Sequence, residues 1–200
     1  MKILVLNSGS SSVKYKLLDI EKNSSETLAE GGVEKIGLPD GFLKFKLASG
    51  EKEITELGKI NHREAIQAIL SNLTYRKNDV VIMDMEAGLE HLGRGTAANM
   101  DQFIVVIEPG ARSVQTYHNV KRLASDLGVK QVRVVANKVR DQQDEDFVRS
   151  AIPAEDFLGV IHYNPQIIDA DRQGKSPYDF SPTAIEEIRK IKAILDRDER

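Results

Sequence analysis

Three short apolar runs, each closed by a polar residue, constrain this chain more than anything else in it. Val80 to Met83 runs into Asp84, Phe103 to Ile107 into Glu108, and Val132 to Ala136 into Asn137. The runs are β-branched and do not alternate with polar residues. That is the pattern of strands buried on both faces, and so of a parallel sheet covered by helices. In such sheets ligands sit at the carboxyl ends of the strands, where Asp84, Glu108 and Asn137 fall.

The 200-residue chain carries 28 Lys and Arg against 31 Asp and Glu, and 40% of it is hydrophobic. That balance suits one substantial core or two small ones. It leaves no basic footprint for nucleic acid or acidic lipid, so neither nucleic acid nor membrane is expected as a partner. The absence of cysteine excludes disulfides, thiolate metal sites and a cysteine nucleophile. The opening MKILVLNSG has too few apolar residues before Asn7 for a signal segment or a span, and a cytoplasmic location is expected.

Ile3 to Leu6, the polar tip Asn7 to Ser12, and the alternating Val13, Tyr15 and Leu17 predict a β-hairpin with hydroxyls and backbone N–H groups at its tip. Such a tip can cradle a phosphate or be a solvated serine turn. Thr27 to Ile36, Phe42 to Leu47 and the stretch at Ile54 extend the hairpin into a β-meander. Gly31-Gly32-Val33-Glu34-Lys35 resembles part of a phosphate-binding loop. Glu34 stands where glycine is needed and no Ser or Thr follows Lys35, so it reads as strand.

Asn61 with Glu64 predicts a capping box for a helix that turns Ile66, Ile69, Leu70 and Leu73 inward. Near residue 76 the chain changes from meander to alternating α and β, which predicts domains 1–76 and 77–200. Pro109-Gly110 opens a helix with Val114, Tyr117, Val120, Ala124 and Leu127 inward and Gly128 as its stop. Phe157 to His162 is a last buried strand. Ser181-Pro182 starts a final helix with Ile185, Ile188, Ile191 and Leu195 toward the core.

Asp84, ahead of Ala87-Gly88, has the setting of a Mg2+-side acid in phosphate-transferring enzymes, and equally that of a helix N-cap. Asn137 and Lys138 suit either a base-reading pair or a plain turn. His91 and His162 lack metal-ligand spacing and read as structural or surface histidines. No Ser/His/Asp set can be assembled.

MKILVLNSGSSSVKYKLLD, AEGGVEKIG and NHREAIQAIL resemble the amino terminus of the acetate and propionate kinases. The resemblance implies phosphate or Mg2+ contact for Asn7, Ser10, Ser12 and Lys14, with Ser11 in the same phosphate-site turn and Asn7 on the metal side with Asp84. VIMDMEAGLEHLGRGTA, VVIEPGARSVQT, VVANKV and ADRQGKSPYDFSP resemble the carboxyl-terminal half of the carbon monoxide dehydrogenase accessory ATPases, MinD-like P-loop proteins of nickel insertion. That second resemblance implies that Asp84 is the Mg2+-side acid, that Glu86, Ala87 and Gly88 form the γ-phosphate switch, and that Asn137 and Lys138 lie by adenine.

Neither pattern is complete. The kinase-like part stops before that family's catalytic histidine, arginines and second domain. The ATPase-like part has neither the KGGxGKT loop nor the metal-binding cysteine pair. The chain therefore reads as a fusion of α/β class: an amino-terminal β-meander continuing into a mostly parallel sheet flanked by helices, a ribonuclease H-like and P-loop-like hybrid on one shared sheet. In it the strand at Val80 to Met83 returns parallel to the first strand, which places Ser10 to Lys14 beside Asp84. Phe103 to Ile107 is expected outside the Asp84 strand, because a local hairpin closes at little entropic cost.

The expected function is ATP or phosphate binding with weak or no catalysis, with Mg2+ and ATP or ADP as cofactors. A folded scaffold without a ligand site and an acetate kinase-type phosphotransferase are the alternatives. No nickel or zinc site is expected, carbon monoxide dehydrogenase is not expected as a partner, and a homodimer is left open.

Overall fold

The computed structural model describes residues 1–21, 24–73, 79–85 and 100–198. Contacts divide the chain into two compact units, residues 1–96 and 97–200.

In the first unit, β1 (Lys2–Ser8), β2 (Ser12–Glu21), β3 (Ser24–Glu34), β4 (Gly41–Leu47) and β5 (Lys52–Gly58) form the antiparallel meander. Helix α1 (His62–Ser71) follows, and β6 (Val80–Met85) returns parallel to β1, giving the order β5-β4-β3-β2-β1-β6. Strand alternation sorts the faces. Leu4, Leu6, Val13, Tyr15, Leu17, Val33 and Leu43 pack with Ala65, Ile66 and Ile69 of α1, while Lys14, Lys16, Lys44 and Lys46 alternate onto the opposite face. The capping box of α1 is present: Glu64 N donates to Asn61 Oδ1 at 3.0 Å and Asn61 N donates to Glu64 Oε2 at 2.8 Å. Gly31-Gly32 lies inside β3, and a Cβ at Gly31 would stand 2.0 Å from the Lys44 carbonyl oxygen. The glycine there serves the close approach of two strands rather than a phosphate.

In the second unit the described strands β7 (Gln102–Ile107), β8 (Gln131–Val139) and β9 (Phe157–His162) form a parallel sheet in that order. Helices α2 (Ala111–Leu127), α3 (Gln142–Ala151), α4 (Pro165–Arg172), α5 (Pro177–Phe180) and α6 (Pro182–Asp198) connect and flank it. Central β8 is buried on both faces: Val132, Val134 and Ala136 pack with Tyr117, Val120 and Val148, and Val135 packs with Leu158 and Ile191. Gly128, at φ 80°, ends α2 in the left-handed conformation expected of its stop signal. No helix among the described residues is long and apolar enough to cross a membrane.

The described strands fall into two sheets instead of one shared sheet, and β7, expected outside the Asp84 strand, pairs with β8. One edge of β1 is taken by β2 and the other by β6. With β6 tied to the meander, the division between units falls after residue 96, beyond the change of sequence character at 76. The apolar runs in β6 and β7 are not buried on both faces: Val80, Val81, Ile82, Ile104 and Val106 are exposed, on strands that come last among the described strands of their sheets.

Ile188 is also exposed, at 46%. Helix α6 turns Ala184, Ile191, Ile194 and Leu195 inward and gives the place beside them to Glu187. Helices α4 and α5 have no counterpart in the sequence expectations. Each begins with a cap-and-proline pair, Asn164-Pro165 and Ser176-Pro177, which is the signal that would have found them.

Tyr15 is buried in the first core, and its hydroxyl has no hydrogen-bond partner among the described residues. Burial pushes its pKa up to about 12, against about 10 in an unfolded chain. The unfolded chain therefore releases the proton first, and stability that is intact below the ordinary tyrosine pKa is lost as the pH climbs toward the folded value. Tyr15→Phe removes both an unsatisfied hydroxyl and this titration. It is predicted to match or exceed the parent by about 1 kcal/mol at neutral pH and to lose less stability in alkali. Urea unfolding at neutral and alkaline pH checks this, and a variant less stable at neutral pH contradicts it.

Candidate phosphate site

The site is built where β6, β1 and β2 run side by side. Asp84 stands opposite Asn7, and Asn7 opposite Lys14. Residues in register on neighbouring strands share a face, so these three side chains form one row, exposed on the side of the sheet away from α1. Asn7 Nδ2 donates to Asp84 Oδ2 at 3.0 Å. Ser12 precedes Lys14 by two residues and lies on the same face.

The tip joining β1 to β2 is tied down from the protein side. Gly9 N donates to the Ser12 carbonyl at 2.9 Å, Ile36 N to the Ser11 carbonyl at 3.0 Å, and the His62 ring to the Gly9 carbonyl at 2.8 Å. Ser10 and Ser11 are exposed. The row and the tip together offer one carboxylate, one carboxamide, hydroxyls and an ammonium. Those are oxygen ligands suited to a hard cation and donors suited to phosphate oxygens.

The other expected residues lie in the second unit, at the carboxyl end of its sheet. Lys138 Nζ donates to Glu108 Oε1 at 2.5 Å, and the Asn137 side-chain oxygen accepts from Lys138 N at 2.9 Å. Lys138 has φ 57°, at a register shift between β8 and β9. Its ammonium is thus held by a carboxylate and the amide oxygen of Asn137 by its own turn. Nearby is a cavity of about 440 Å³ lined by Pro109, Gly110, Ala111, Arg140, Asp144 and Phe147. Hydrogen bonds from the Arg140 side chain hold Asp144 below the usual carboxylate range.

His162 is tied to α6, its Nδ1 lying 2.7 Å from Glu187 Oε1 and its backbone N 3.0 Å from Glu187 Oε2, which agrees with a structural histidine. At the opposite end of the sheet, Tyr117 and Lys121 both donate to the Asp156 carboxylate. Burial, then the bond to Asp156, pushes the Tyr117 phenol up, and the two bonds tie α2 to the turn just before β9. Glu86, Ala87, Gly88 and His91 lie outside the described residues. The bonds made by His62, Glu108 and Glu187 were not found from the sequence: each reaches a residue far along the chain, which leaves no local pattern.

Residues 2–124 match the Acetokinase family. The chain belongs to that family. An acetate kinase of Parabacteroides distasonis is 44% identical over 117 residues, covering 54% of this chain and 29% of the kinase. The carbon monoxide dehydrogenase accessory protein CooC of Rhodospirillum rubrum is 35% identical over 148 residues, covering 70% of this chain and 56% of that protein. An uncharacterized ATP-binding protein of Methanocaldococcus jannaschii is 38% identical over 129 residues, 63% of this chain and 49% of that protein.

The kinase and CooC shares together exceed the whole of this acetokinase-family chain, so the two matches overlap. Its likeness to two families is thereby borne out. The chain spans about half the length of the CooC and ATP-binding relatives and under a third of the acetate kinase.

The left-handed Lys138 is a non-glycine residue under backbone strain, which glycine relieves by about 1 kcal/mol. Its pair with Glu108 has both side chains more than half exposed and contributes less than that. Lys138→Gly is predicted to raise the melting temperature. A lower melting temperature in a thermal unfolding scan would show that the lysine side chain outweighs the strain.

Proposed function

We propose that this chain binds the phosphates of a nucleotide with Mg2+ on the Asp84–Asn7–Lys14 row and the serine tip, with slow or no turnover. The observation that carries the reading is the parallel register of β6 on β1, with the 3.0 Å bond between Asn7 and Asp84. A residue from the acetate kinase-like pattern and one from the ATPase-like pattern thereby meet in one row. The ATP-binding relative supports a nucleotide as the ligand.

The donor set suits Mg2+, since Asp84, Asn7 and the serines present oxygens and no soft ligand. Asp84 and Asn7 would hold the ion, which supplies charge neutralisation to the phosphates when bound. The described residues contain no group of three or more His, Cys, Asp or Glu placed to hold a metal. One carboxylate, completed by phosphate oxygens and water, is the usual share a protein takes of Mg2+. Lys14, next to Asn7 in the row, donates to a phosphate oxygen as a point charge, and the serine hydroxyls and tip N–H groups add neutral donors. One ammonium is a weak complement to a transferring phosphoryl group, which draws most of its acceleration from several aligned charges. Binding with little hydrolysis follows from that imbalance.

Isothermal titration with a slowly hydrolysed ATP analogue, with and without Mg2+, tests the reading. Saturable binding that needs Mg2+ is expected, and Asp84→Asn is expected to weaken it at least about tenfold, as loss of a charged ligand does. Equal binding by the variant, or no binding by the parent chain, contradicts the proposal. The second outcome would favour a scaffold without a ligand site.

A further inference from the structure

We infer that His62 is a positioning residue for the serine tip, aiming the Ser10 N–H at the phosphate by holding the Gly9 carbonyl; the inference rests on the phosphate-binding reading above. The His62 ring nitrogen Nε2 lies 2.8 Å from Gly9 O. A carbonyl oxygen only accepts, so Nε2 carries the hydrogen. Gly9 C=O and Ser10 N–H belong to one peptide unit, and the described chain has no cis peptide. In a trans unit the N–H points opposite to the C=O. Turning the Gly9 oxygen in toward α1 therefore turns the Ser10 N–H outward.

The next anchor works in the same way. Ile36 N holds the Ser11 carbonyl at 3.0 Å, and the N–H of Ser12 is turned the other way. Alternate peptide units of the tip are thus fixed from behind, one by a backbone donor and one by an imidazole.

The imidazole is itself well placed to act as a fixed post. His62 is the first residue of α1, inside the capping box that Asn61 and Glu64 close, and the helix is held by the buried Ala65, Ile66 and Ile69. Gly37 N, beside the Ile36 donor, bonds the Ile60 carbonyl at 2.8 Å just ahead of the helix. The tip, the end of β3 and the start of α1 are thereby linked to one another. A Gly-Ser-Ser turn left to itself would have to be ordered when phosphate binds, at a cost in affinity. His62 does that ordering beforehand without touching the ligand.

The test uses the full chain and inorganic phosphate as probe, followed by calorimetry and by amide hydrogen exchange at Ser10. His62→Ala is expected to bind phosphate about fivefold more weakly, the effect of one lost hydrogen bond, with faster exchange at Ser10. His62→Gln, whose amide nitrogen reaches as far as Nε2, is expected to restore both. If the alanine variant does not fold, His62→Asn, whose amide stops short of Gly9, takes its place. Parent-like phosphate affinity in the alanine or asparagine variant overturns the inference, as does a glutamine variant no better than alanine. A parent chain that binds no phosphate overturns instead the reading on which the inference rests.

Discussion

The parallel pairing of β6 with β1 is the contact on which the rest depends. It fills the edge of β1 that the hairpin leaves open and places the polar residue that closes one apolar run against the polar residue that closes another. Strand period then does the remaining work. Once Asp84 is opposite Asn7, Lys14 must follow on β2, and all three must share the face that α1 does not cover. A slip of one residue would send Asp84 to the helix side and leave an acid against the core. The apolar residues Leu4, Leu6 and Met83, alternating with the row, stand against that slip.

Local features of the chain were legible because local physics makes them. The β-meander follows from alternation and turn residues, the start of α1 from Asn61 and Glu64 three residues apart, and the end of α2 from Gly128. The meeting of Asn7 with Asp84 was legible too, although the two are far apart in sequence, since the first apolar run after α1 ends in Asp84 and was expected to return beside β1. Which strand β7 would join was not legible. Sheet order depends on which edges remain after the local pairs have formed, and an apolar run such as Phe103 to Ile107 carries no mark of its neighbour. Burial on both faces fails in β6 and β7 for the same reason: β8 has a neighbour on each side, whereas β6 and β7 come last among the described strands of their sheets. The bonds of His62 to Gly9 and of Glu187 to His162 leave no periodic trace at all.

The two family likenesses overlap at the candidate site. The acetokinase match runs over residues 2–124 and so covers the hairpin tip, its lysine and Asp84 alike, and the sequence pattern that resembles the accessory ATPases begins on the strand that Asp84 closes. The residues expected near adenine, Asn137 and Lys138, are spent on a left-handed bulge and a pair with Glu108 in the second unit. The proposed function therefore rests on phosphate recognition, where backbone N–H groups and one ammonium suffice, and makes no demand on base recognition.

The most direct measurement is a map of amide 1H–15N shifts as the labelled chain is titrated with Mg2+ and a slowly hydrolysed ATP analogue. Phosphate bound on the row and tip predicts the largest changes at Ser10, Ser12, Lys14 and Asp84. Changes confined to Gly110, Asp141 and Asp144 around the cavity of the second unit, or none anywhere, would contradict the account.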